Sequence, residues 1–191
     1  MKDINMEVNI KPLTPENIED FFYFFDNVGF TDNPDWAGCY CHFYHFSGNI
    51  KEWSERSNEQ NRNASMELIL AKKMNGLLAY LYNKPVGWCN VNSKENFAKI
   101  PYEEGSKAKI ASIVCFVVAP SHRRQGIAKK LLKVACSLSQ NNGYDLIEAY
   151  PRKEGDLSDA YSYHGPLSLY KSQGFSIYKE LKNYYVMHKE F

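Results

Sequence analysis

The segment Lys109–Val118 constrains the fold more than any other part of the sequence. It is dense in β-branched residues and would present apolar side chains on both faces of a strand. Such a strand is typical of the centre of a sheet that is covered on each side by helices. The chain has 191 residues, of which 44% are apolar, enough to build the core of one domain. The sequence therefore predicts an α/β domain built around this strand.

Periodicity elsewhere predicts alternating helices and strands around the central strand. Apolar residues at helical spacing predict helices, and runs of alternating or β-branched residues between turn signals predict strands. Helices are predicted at Ile18–Val28, Met66–Met74, Ile127–Leu138 and Pro166–Ser172, and strands at Met6–Lys11, Leu77–Tyr82, Val86–Val91, Leu146–Tyr150 and, as one or two strands, Phe175–Lys189. Loops are predicted at Phe30–Ile50, Ser93–Ser106 and Pro151–His164. This order indicates one mixed α/β domain over residues 1–191.

Charge and hydropathy exclude several classes of protein. The chain carries 23 Lys+Arg against 22 Asp+Glu, so it is not a globally basic nucleic-acid binder. Its longest apolar run, Ile110–Ala119, is far shorter than the ~20 residues of a membrane-spanning helix. The first residues lack the apolar core of a secretory signal, and five cysteines fit reduced thiols better than a disulfide framework. We therefore expect a cytoplasmic protein that binds neither nucleic acid nor membrane.

The turn that follows the central strand has the features of an anion site. Arg123, Arg124 and Gly126 lie between the strand and the next predicted helix. The first turn of a helix has unpaired N–H groups that attract phosphate, and glycine lets the backbone approach an anion closely. No acidic residue occurs between Glu104 and Asp145, an interval that contains Lys107, Lys109, Arg123, Arg124, Lys129, Lys130 and Lys133. This local basic field suits a pyrophosphate; a solvated basic helix face is the alternative.

Two motifs resemble those of the GCN5-related N-acetyltransferase (GNAT) family. The residues Arg123-Arg124-Gln125-Gly126-Ile127-Ala128 are similar to the family pattern Gln/Arg-x-x-Gly-x-Gly/Ala, and Leu169-Tyr170-Lys171-Ser172-Gln173-Gly174-Phe175 is similar to its Leu-Tyr-x-x-x-Gly-Phe. The resemblance covers residues 77–190 well and the N-terminal helices more loosely. It implies a mixed sheet of six or seven strands with helices on both faces, whose fourth and fifth strands splay apart. Residues 1–76 would form the acceptor side and 77–191 the acetyl-CoA-binding core.

The resemblance also implies a ligand and a set of roles. The co-substrate would be acetyl-CoA, and no metal is expected. The backbone of Phe116, Val117 and Val118 would bind the pantetheine amides, and the N–H group of Val117 would stabilise the oxyanion. The pyrophosphate would be held by Arg123, Arg124, Gln125, Gly126, Ile127, Ala128 and Lys129. Tyr170 would protonate the departing thiolate or, alternatively, would only pack beside it.

The implied reaction is the transfer of an acetyl group to a primary amine. The amine of a small cationic molecule or of a peptide would attack the thioester directly in a ternary complex. A non-catalytic acyl-CoA sensor or scaffold is the alternative, because the turn at Arg123–Ala128, called the anion turn below, would bind the coenzyme in an enzyme and in a sensor alike. Exposed aromatic residues leave a homodimer open.

Two points depart from the family or remain unassigned. The family often has Asn and Ala where this chain has Tyr163 and Pro166, so the usual contact of that Asn with the coenzyme is in doubt. No general base is evident, although Glu148 on a predicted strand is a candidate.

The acceptor side is acidic and contains an unusual loop. Residues 13–60 hold nine acids and two bases, a charge that would steer a cationic acceptor unless these are only solvated helix faces. The loop Trp36–Phe46 is rich in aromatic residues, Cys and His. It could form the wall of a pocket that receives an ammonium, or simply pack in the core. Its Cys39, Cys41, His42 and His45 match known zinc spacings poorly.

Overall fold

The computed structural model describes residues 7–101, 107–153 and 162–191. Its strands are β1 (Asn9–Pro12), β2 (Leu77–Leu81), β3 (Lys84–Ser93), β4 (Ile110–Val118), β5 (Leu146–Ala149), β6 (Ser176–Glu180) and β7 (Tyr185–Glu190). Its α-helices are α1 (Ile18–Asn27), α2 (Ile50–Ser54), α3 (Asn58–Leu70), α4 (Ile127–Asn141) and α5 (Leu167–Lys171). None of the helices in these described ranges is long and apolar enough to cross a membrane.

The strands form one mixed sheet, as the sequence predicts. The described strands lie in the order β1-β2-β3-β4-β5-β7-β6. Within this sheet β4 and β5 run parallel, and every other neighbouring pair is antiparallel. The strands predicted at Leu77–Tyr82 and Val86–Val91 are confirmed as β2 and β3, which form a hairpin whose turn places Tyr82 and Asn83 at φ values of 50° and 61°. The central position predicted for β4 is also confirmed.

Helices cover both faces of the sheet and divide the core in two. On one face α1 contributes Phe21, Phe22 and Phe25, which pack against the fully buried Trp88. On the other face α4 buries its predicted apolar stripe against β2, β3 and β5. Its lysines at 129, 130 and 133 remain exposed. The two-faced apolar pattern of β4 follows from its position between these layers.

The pairing between strands β4 and β5 ends halfway along β4. Their parallel pairing runs only from Ile110 opposite Leu146 to Ile113 opposite Ala149. On its other side β4 stays paired with β3 as far as Val118, which lies opposite Gly87. Among the described strands, the second half of β4 therefore has a neighbour on one side only, which is the splay that the resemblance implies.

Several predicted boundaries differ from the structure. Strand β1 begins at Asn9, later than predicted, and Met6 lies outside the described residues. Helix α3 ends at Leu70 and begins at Asn58, where Ser57 caps it by accepting a hydrogen bond from the N–H group of Gln60 at 3.1 Å. Its first two turns are polar, so apolar periodicity did not reveal them. The predicted loops include residues 102–106 and 154–161, which lie outside the described ranges.

A buried ionic network ties the two halves of the sheet together. The carboxylate of Glu148 on β5 is 2% exposed and accepts hydrogen bonds from Lys94 Nζ at 2.8 Å and His188 Nε2 at 2.6 Å. It also accepts one from the hydroxyl group of Tyr150, which lies 3.0 Å from that of Ser112. Burial alone raises the pKa of Glu148, but the donors outweigh burial and lower it. The network therefore stabilises the fold at neutral pH and loses its effect as pH falls through that lowered pKa.

Replacement of this carboxylate should destabilise the protein. Glu148→Gln leaves the ammonium of Lys94 buried without its counter-charge, and we expect a loss of about 3–5 kcal/mol in the free energy of unfolding. Urea denaturation at pH 7 measures this loss. The exposed Glu190→Gln, on the adjacent strand β7, is the control and should change stability by less than about 0.5 kcal/mol. Equal effects of the two substitutions would contradict the prediction.

Candidate active site

The anion turn has a backbone that is built around positive φ angles. Arg124 has a φ of 60° and Gly126, the N-cap of α4, a φ of 80°. A side chain at residue 126 would be strained by this angle, although a Cβ there would meet no atom within 4 Å. Glycine is thus required by conformation, and the space in front of it is open to a ligand.

The start of α4 presents a set of unused donors. The first helical bond runs from the N–H group of Lys130 to the carbonyl of Gly126 at 3.0 Å. Within the described ranges, no protein group accepts a hydrogen bond from the backbone N–H groups of residues 125–129. Lys129 and Lys130 are exposed beside them. This arrangement leaves the donors of residues 125–129 facing an open space that suits an anion, and the binding of a pyrophosphate by these residues stays a prediction.

Arg123 is engaged differently from the other residues of the turn. Its guanidinium forms a two-point ion pair with Asp32, in which Nη2 lies 3.1 Å from Oδ1. Its Nε donates to the carbonyl of Val118 at 3.1 Å. This guanidinium lowers the pKa of Asp32 by hydrogen bonding. Arg123 therefore joins the loop after α1 to the end of β4, a contact between distant segments that no local pattern predicts.

The second half of β4 borders a gap on the side of β5, and we call this side the open edge of β4. The alternation of backbone groups along β4 decides which of them face the gap. The N–H group of Phe116 points into the gap and donates to the carbonyl of Tyr163 at 2.6 Å, whereas that of Ala119 donates to Val86 on β3 at 2.9 Å. Because successive N–H groups alternate, those of Phe116 and Val118 face the gap and that of Val117 faces β3. The prediction that the Val117 N–H group stabilises the oxyanion is therefore wrong. Of these three residues, Phe116 and Val118 are the ones whose N–H groups face the gap.

Tyr170 is fully buried beside the gap. Its hydroxyl donates to the carbonyl of His164 at 2.6 Å, and its ring packs on those of Phe116 and Phe175 at centroid distances of 6.3 and 5.3 Å. Burial raises the pKa of Tyr170 well above its ordinary value. The packing role is thus visible, and the general-acid role of Tyr170 stays a prediction.

A cavity of about 390 Å³ lies against this part of β4. It is formed by α1, the following loop, α2, the start of α3 and the gap, and seven of its 17 described lining residues are aromatic. The aromatic residues are Phe25, Phe30, Trp36, Phe43, Tyr44, Trp53 and Tyr163, and β4 contributes Cys115 and Val117. Asp35 and Arg56 are the charged residues of the lining. The cavity therefore suits an acceptor with an apolar or aromatic body that approaches β4.

The Trp36–Phe46 loop both forms the cavity wall and packs in the core. Trp36, Phe43 and Tyr44 line the cavity, whereas the ring of Tyr40 contacts Phe25 at 5.9 Å. Among the residues that the structure describes, no group of three or more Cys, His, Asp or Glu side chains is arranged to hold a metal ion. Both predicted roles of the loop are therefore seen: some of its residues form the cavity wall, and others pack in the core.

Most acids of the N-terminal half have protein partners. The carboxylates of Asp20 and Asp26 accept hydrogen bonds from tyrosine hydroxyls at 2.8 and 2.7 Å, and Asp32 pairs with Arg123. Of the nine acids in residues 13–60, Asp35 is the one that lines the cavity. Of the acids predicted to make the acceptor side negative, Asp35 is therefore the one whose carboxylate lies at the cavity. Glu148 lies in the network described above and is not among the described residues that line the cavity, so its role as a base stays a prediction.

Three histidines with lowered pKa values make stability depend on pH: His42 and His164 are buried, and His45 is half-buried. Burial lowers the pKa of His42 and His45 to about 4 and that of His164 to about 3. The unfolded chain binds these protons near its ordinary pKa of about 6.5 and the folded chain does not, so stability falls as pH drops below about 6.5.

We expect the free energy of unfolding to fall by up to about 1.4 kcal/mol per histidine for each pH unit between pH 6 and 4. Urea denaturation at a series of pH values measures this slope. His164→Gln should reduce it by about one third, because one of the three groups is removed. A slope that is unchanged in this variant, or absent in the wild type, would show that these imidazoles are not held neutral.

The fold is that of an acetyltransferase. The family model described as "Acetyltransferase (GNAT) family" matches residues 19–175. The chain belongs to this family. No curated protein sequence matches it.

Solved structures share the fold at low identity. PaiA N-acetyltransferase from Thermoplasma acidophilum in complex with coenzyme A is 17% identical with a TM-score of 0.56, over 97% of this chain and 100% of that one. The NatC complex bound to Gag peptide and coenzyme A is 19% identical with a TM-score of 0.56, over 97% and 99% of the two chains. An aminoglycoside N-acetyltransferase in complex with coenzyme A is 13% identical with a TM-score of 0.56, over 95% of each.

Proposed function

We propose that this protein transfers the acetyl group of acetyl-CoA to the primary amine of a small cationic molecule or peptide, by direct attack in a ternary complex. One juxtaposition carries the proposal: the anion turn, the open edge of β4 and the aromatic cavity meet at the gap between β4 and β5. The turn would hold the pyrophosphate, the edge would pair with the pantetheine amides, and the cavity would receive the acceptor.

The geometry supports a consistent course of reaction. With the pantetheine along β4, the thioester carbonyl would accept a hydrogen bond from the Phe116 N–H group, which stabilises the oxyanion. The acceptor would approach from the cavity, whose aromatic faces and Asp35 favour an ammonium. Before the pantetheine could pair with β4, the carbonyl of Tyr163 would have to release the N–H group of Phe116. The side chain of Arg123 would likewise have to release the carbonyl of Val118.

An amine panel tests this proposal directly. Purified protein is mixed with acetyl-CoA and amines of different size, charge and aromatic content, and the release of free thiol is followed. We expect release to depend on an amine, with preference for amines that carry an apolar or aromatic body. Binding of coenzyme A without thiol release from any amine would contradict the proposal.

The sensor alternative has its own supporting observation. The hydroxyl of Tyr170 and the N–H group of Phe116 are both already hydrogen-bonded within the protein.

Tyr170→Phe separates the two functions: if Tyr170 is the general acid, kcat should fall by about 100-fold or more while the affinity for coenzyme A changes little. Steady-state kinetics and calorimetry provide the two readouts. An unchanged kcat would remove Tyr170 from the chemistry.

Two glycines at opposite ends of α4 allow a matched test of the anion turn. Gly126 and Gly143 have φ values of 80° and 69°, and a Cβ on either meets open space. Gly126→Ala and Gly143→Ala should therefore cost similar stability, about 1–2 kcal/mol each. Only Gly126→Ala should weaken the binding of coenzyme A, by about tenfold, because it disturbs the donors around the pyrophosphate. Calorimetric titration checks this, and equal affinities in the two variants would contradict the assignment.

A further inference from the structure

The cavity wall contains a half-buried arginine, Arg56, in the connection between α2 and α3. Among the residues that the structure describes, no carboxylate lies within 4.0 Å of its guanidinium nitrogens, whereas Arg62 on α3 lies 4.0 Å from Asp26. Arg123 likewise has its partner in Asp32. A guanidinium without an ionic partner in the wall of a cavity is suited to an anion that enters the cavity.

A buried amide fixes the orientation of Arg56. Its Nε donates to the Oδ1 of Asn61 at 2.6 Å, and its Nη2 donates to the carbonyl of Gln60 at 3.0 Å. Asn61 is 5% exposed, and its Nδ2 donates to the carbonyl of Gly38 at 3.0 Å. The guanidinium carbon also lies 4.9 Å from the centroid of the Phe46 ring. Arg56 is therefore held in place before any ligand arrives, which lowers the entropic cost of binding one.

These contacts use only one side of the guanidinium. An arginine side chain has five N–H groups, and Nε and one N–H of Nη2 form the side that Asn61 and Gln60 occupy. Within the described ranges, no protein group accepts a hydrogen bond from Nη1. The second N–H of Nη2 and the adjacent N–H of Nη1 form a fork that matches the two oxygens of a carboxylate.

A close backbone approach completes this part of the wall. A Cβ at residue 38 would lie 1.9 Å from the Oδ1 of Asn58, so only glycine lets the Asn58 side chain lie against the backbone that anchors Asn61. Gly38, Arg56, Asn58 and Asn61 all line the cavity, and we call them the polar corner. The cavity thus combines an aromatic lining with one built polar region.

The polar corner and the reacting group would contact different parts of one acceptor. Cys115 and Val117 on β4 form another part of the cavity lining, beside the gap in which the thioester would lie. A volume of about 390 Å³ corresponds to a single small ligand or to one end of a peptide. One guanidinium balances one negative charge, and Asp35 in the same lining would repel a second. These charges favour a carboxylate over a phosphate dianion.

We propose that Arg56 binds a carboxylate of the acceptor, and that the acceptor is an amino acid or short peptide whose amine and carboxylate are separated by an apolar body. This inference rests on the proposed acetyl transfer and narrows its acceptor to a zwitterion. The amine lies at the thioester beside β4, the apolar body lies among the aromatic rings of the lining, and the carboxylate lies at the polar corner.

Two pairs of acceptors that differ only in the carboxylate test this proposal on the wild-type protein. The first pair is 4-(aminomethyl)benzoate and 4-methylbenzylamine, and the second is the dipeptide glycyl-phenylalanine and its C-terminal amide. With acetyl-CoA and detection of free thiol, we expect kcat/KM to be about tenfold or more higher for the carboxylate in at least one pair. Preference in the first pair indicates an amino acid, and preference in the second indicates a peptide. No preference in either pair would overturn the proposal.

Substitutions of Arg56 test whether this residue causes the preference. Arg56→Gln should reduce the ratio of the two kcat/KM values to about one, and Arg56→Glu should reverse it, because a carboxylate in the wall repels that of the acceptor. Arg62→Gln is the control, since Arg62 has its own acid partner and is not among the described lining residues, and it should retain the wild-type ratio. Thermal melting checks that the variants fold. A folded Arg56→Gln protein with the wild-type ratio would overturn the role of Arg56.

Chemical protection gives the same test without a substitution. Wild-type protein is treated with phenylglyoxal, which modifies arginine, and the modified residues are mapped by mass spectrometry. The preferred carboxylate acceptor should protect Arg56 several-fold better than its neutral counterpart, and equal protection by the two would overturn the proposal.

The outcomes separate this proposal from the proposed function. Turnover of neutral amines with no preference for a carboxylate overturns the role of Arg56 and leaves acetyl transfer standing. Binding of coenzyme A with no thiol release from any amine overturns both.

Discussion

The candidate site depends on one constraint, which is that the pairing between β4 and β5 stops at Ile113 and Ala149. Beyond Ile113, β4 keeps β3 on one side, and none of the strands that the structure describes pairs with it on the other. Backbone groups that lose a strand neighbour inside a domain need other partners. In this chain Tyr163 supplies one for the N–H group of Phe116, and Arg123 supplies one for the carbonyl of Val118. The gap is therefore an edge that the protein satisfies with its own groups, and a ligand that pairs with β4 would have to replace them.

The parts predicted from sequence are those determined by neighbouring residues. The apolar pattern of β4 placed it at the centre of the sheet, and the turn before α4 contains its glycine and cations within a few positions. The amphipathic stripe of α4 likewise appears in the sequence and in the structure. Local pattern suffices there because burial on two faces and a helix start each leave a characteristic spacing.

The parts that sequence reasoning missed depend on contacts between distant segments. The pair of Arg123 and Asp32 joins residues 91 positions apart, and no local signal distinguishes this arginine from Arg124. The alternation of N–H groups along β4 identifies those that face the gap only once the strands on either side of β4 are known. The Cys and His residues of the Trp36–Phe46 loop left several interpretations open. Their surroundings, Asn90 and Cys115, come from strands far along the chain.

The ion pair of Arg123 and Asp32 has a consequence for how specificity can change. Asp32 belongs to the loop that leads into the cavity wall, and Arg123 belongs to the turn before α4. One contact thus connects the segment that would select an amine with the segment that would grip a nucleotide. Under the proposed acetyl transfer, substitutions that reshape this loop for a new amine would also disturb the turn that grips the coenzyme, so selection for one affinity would alter the other.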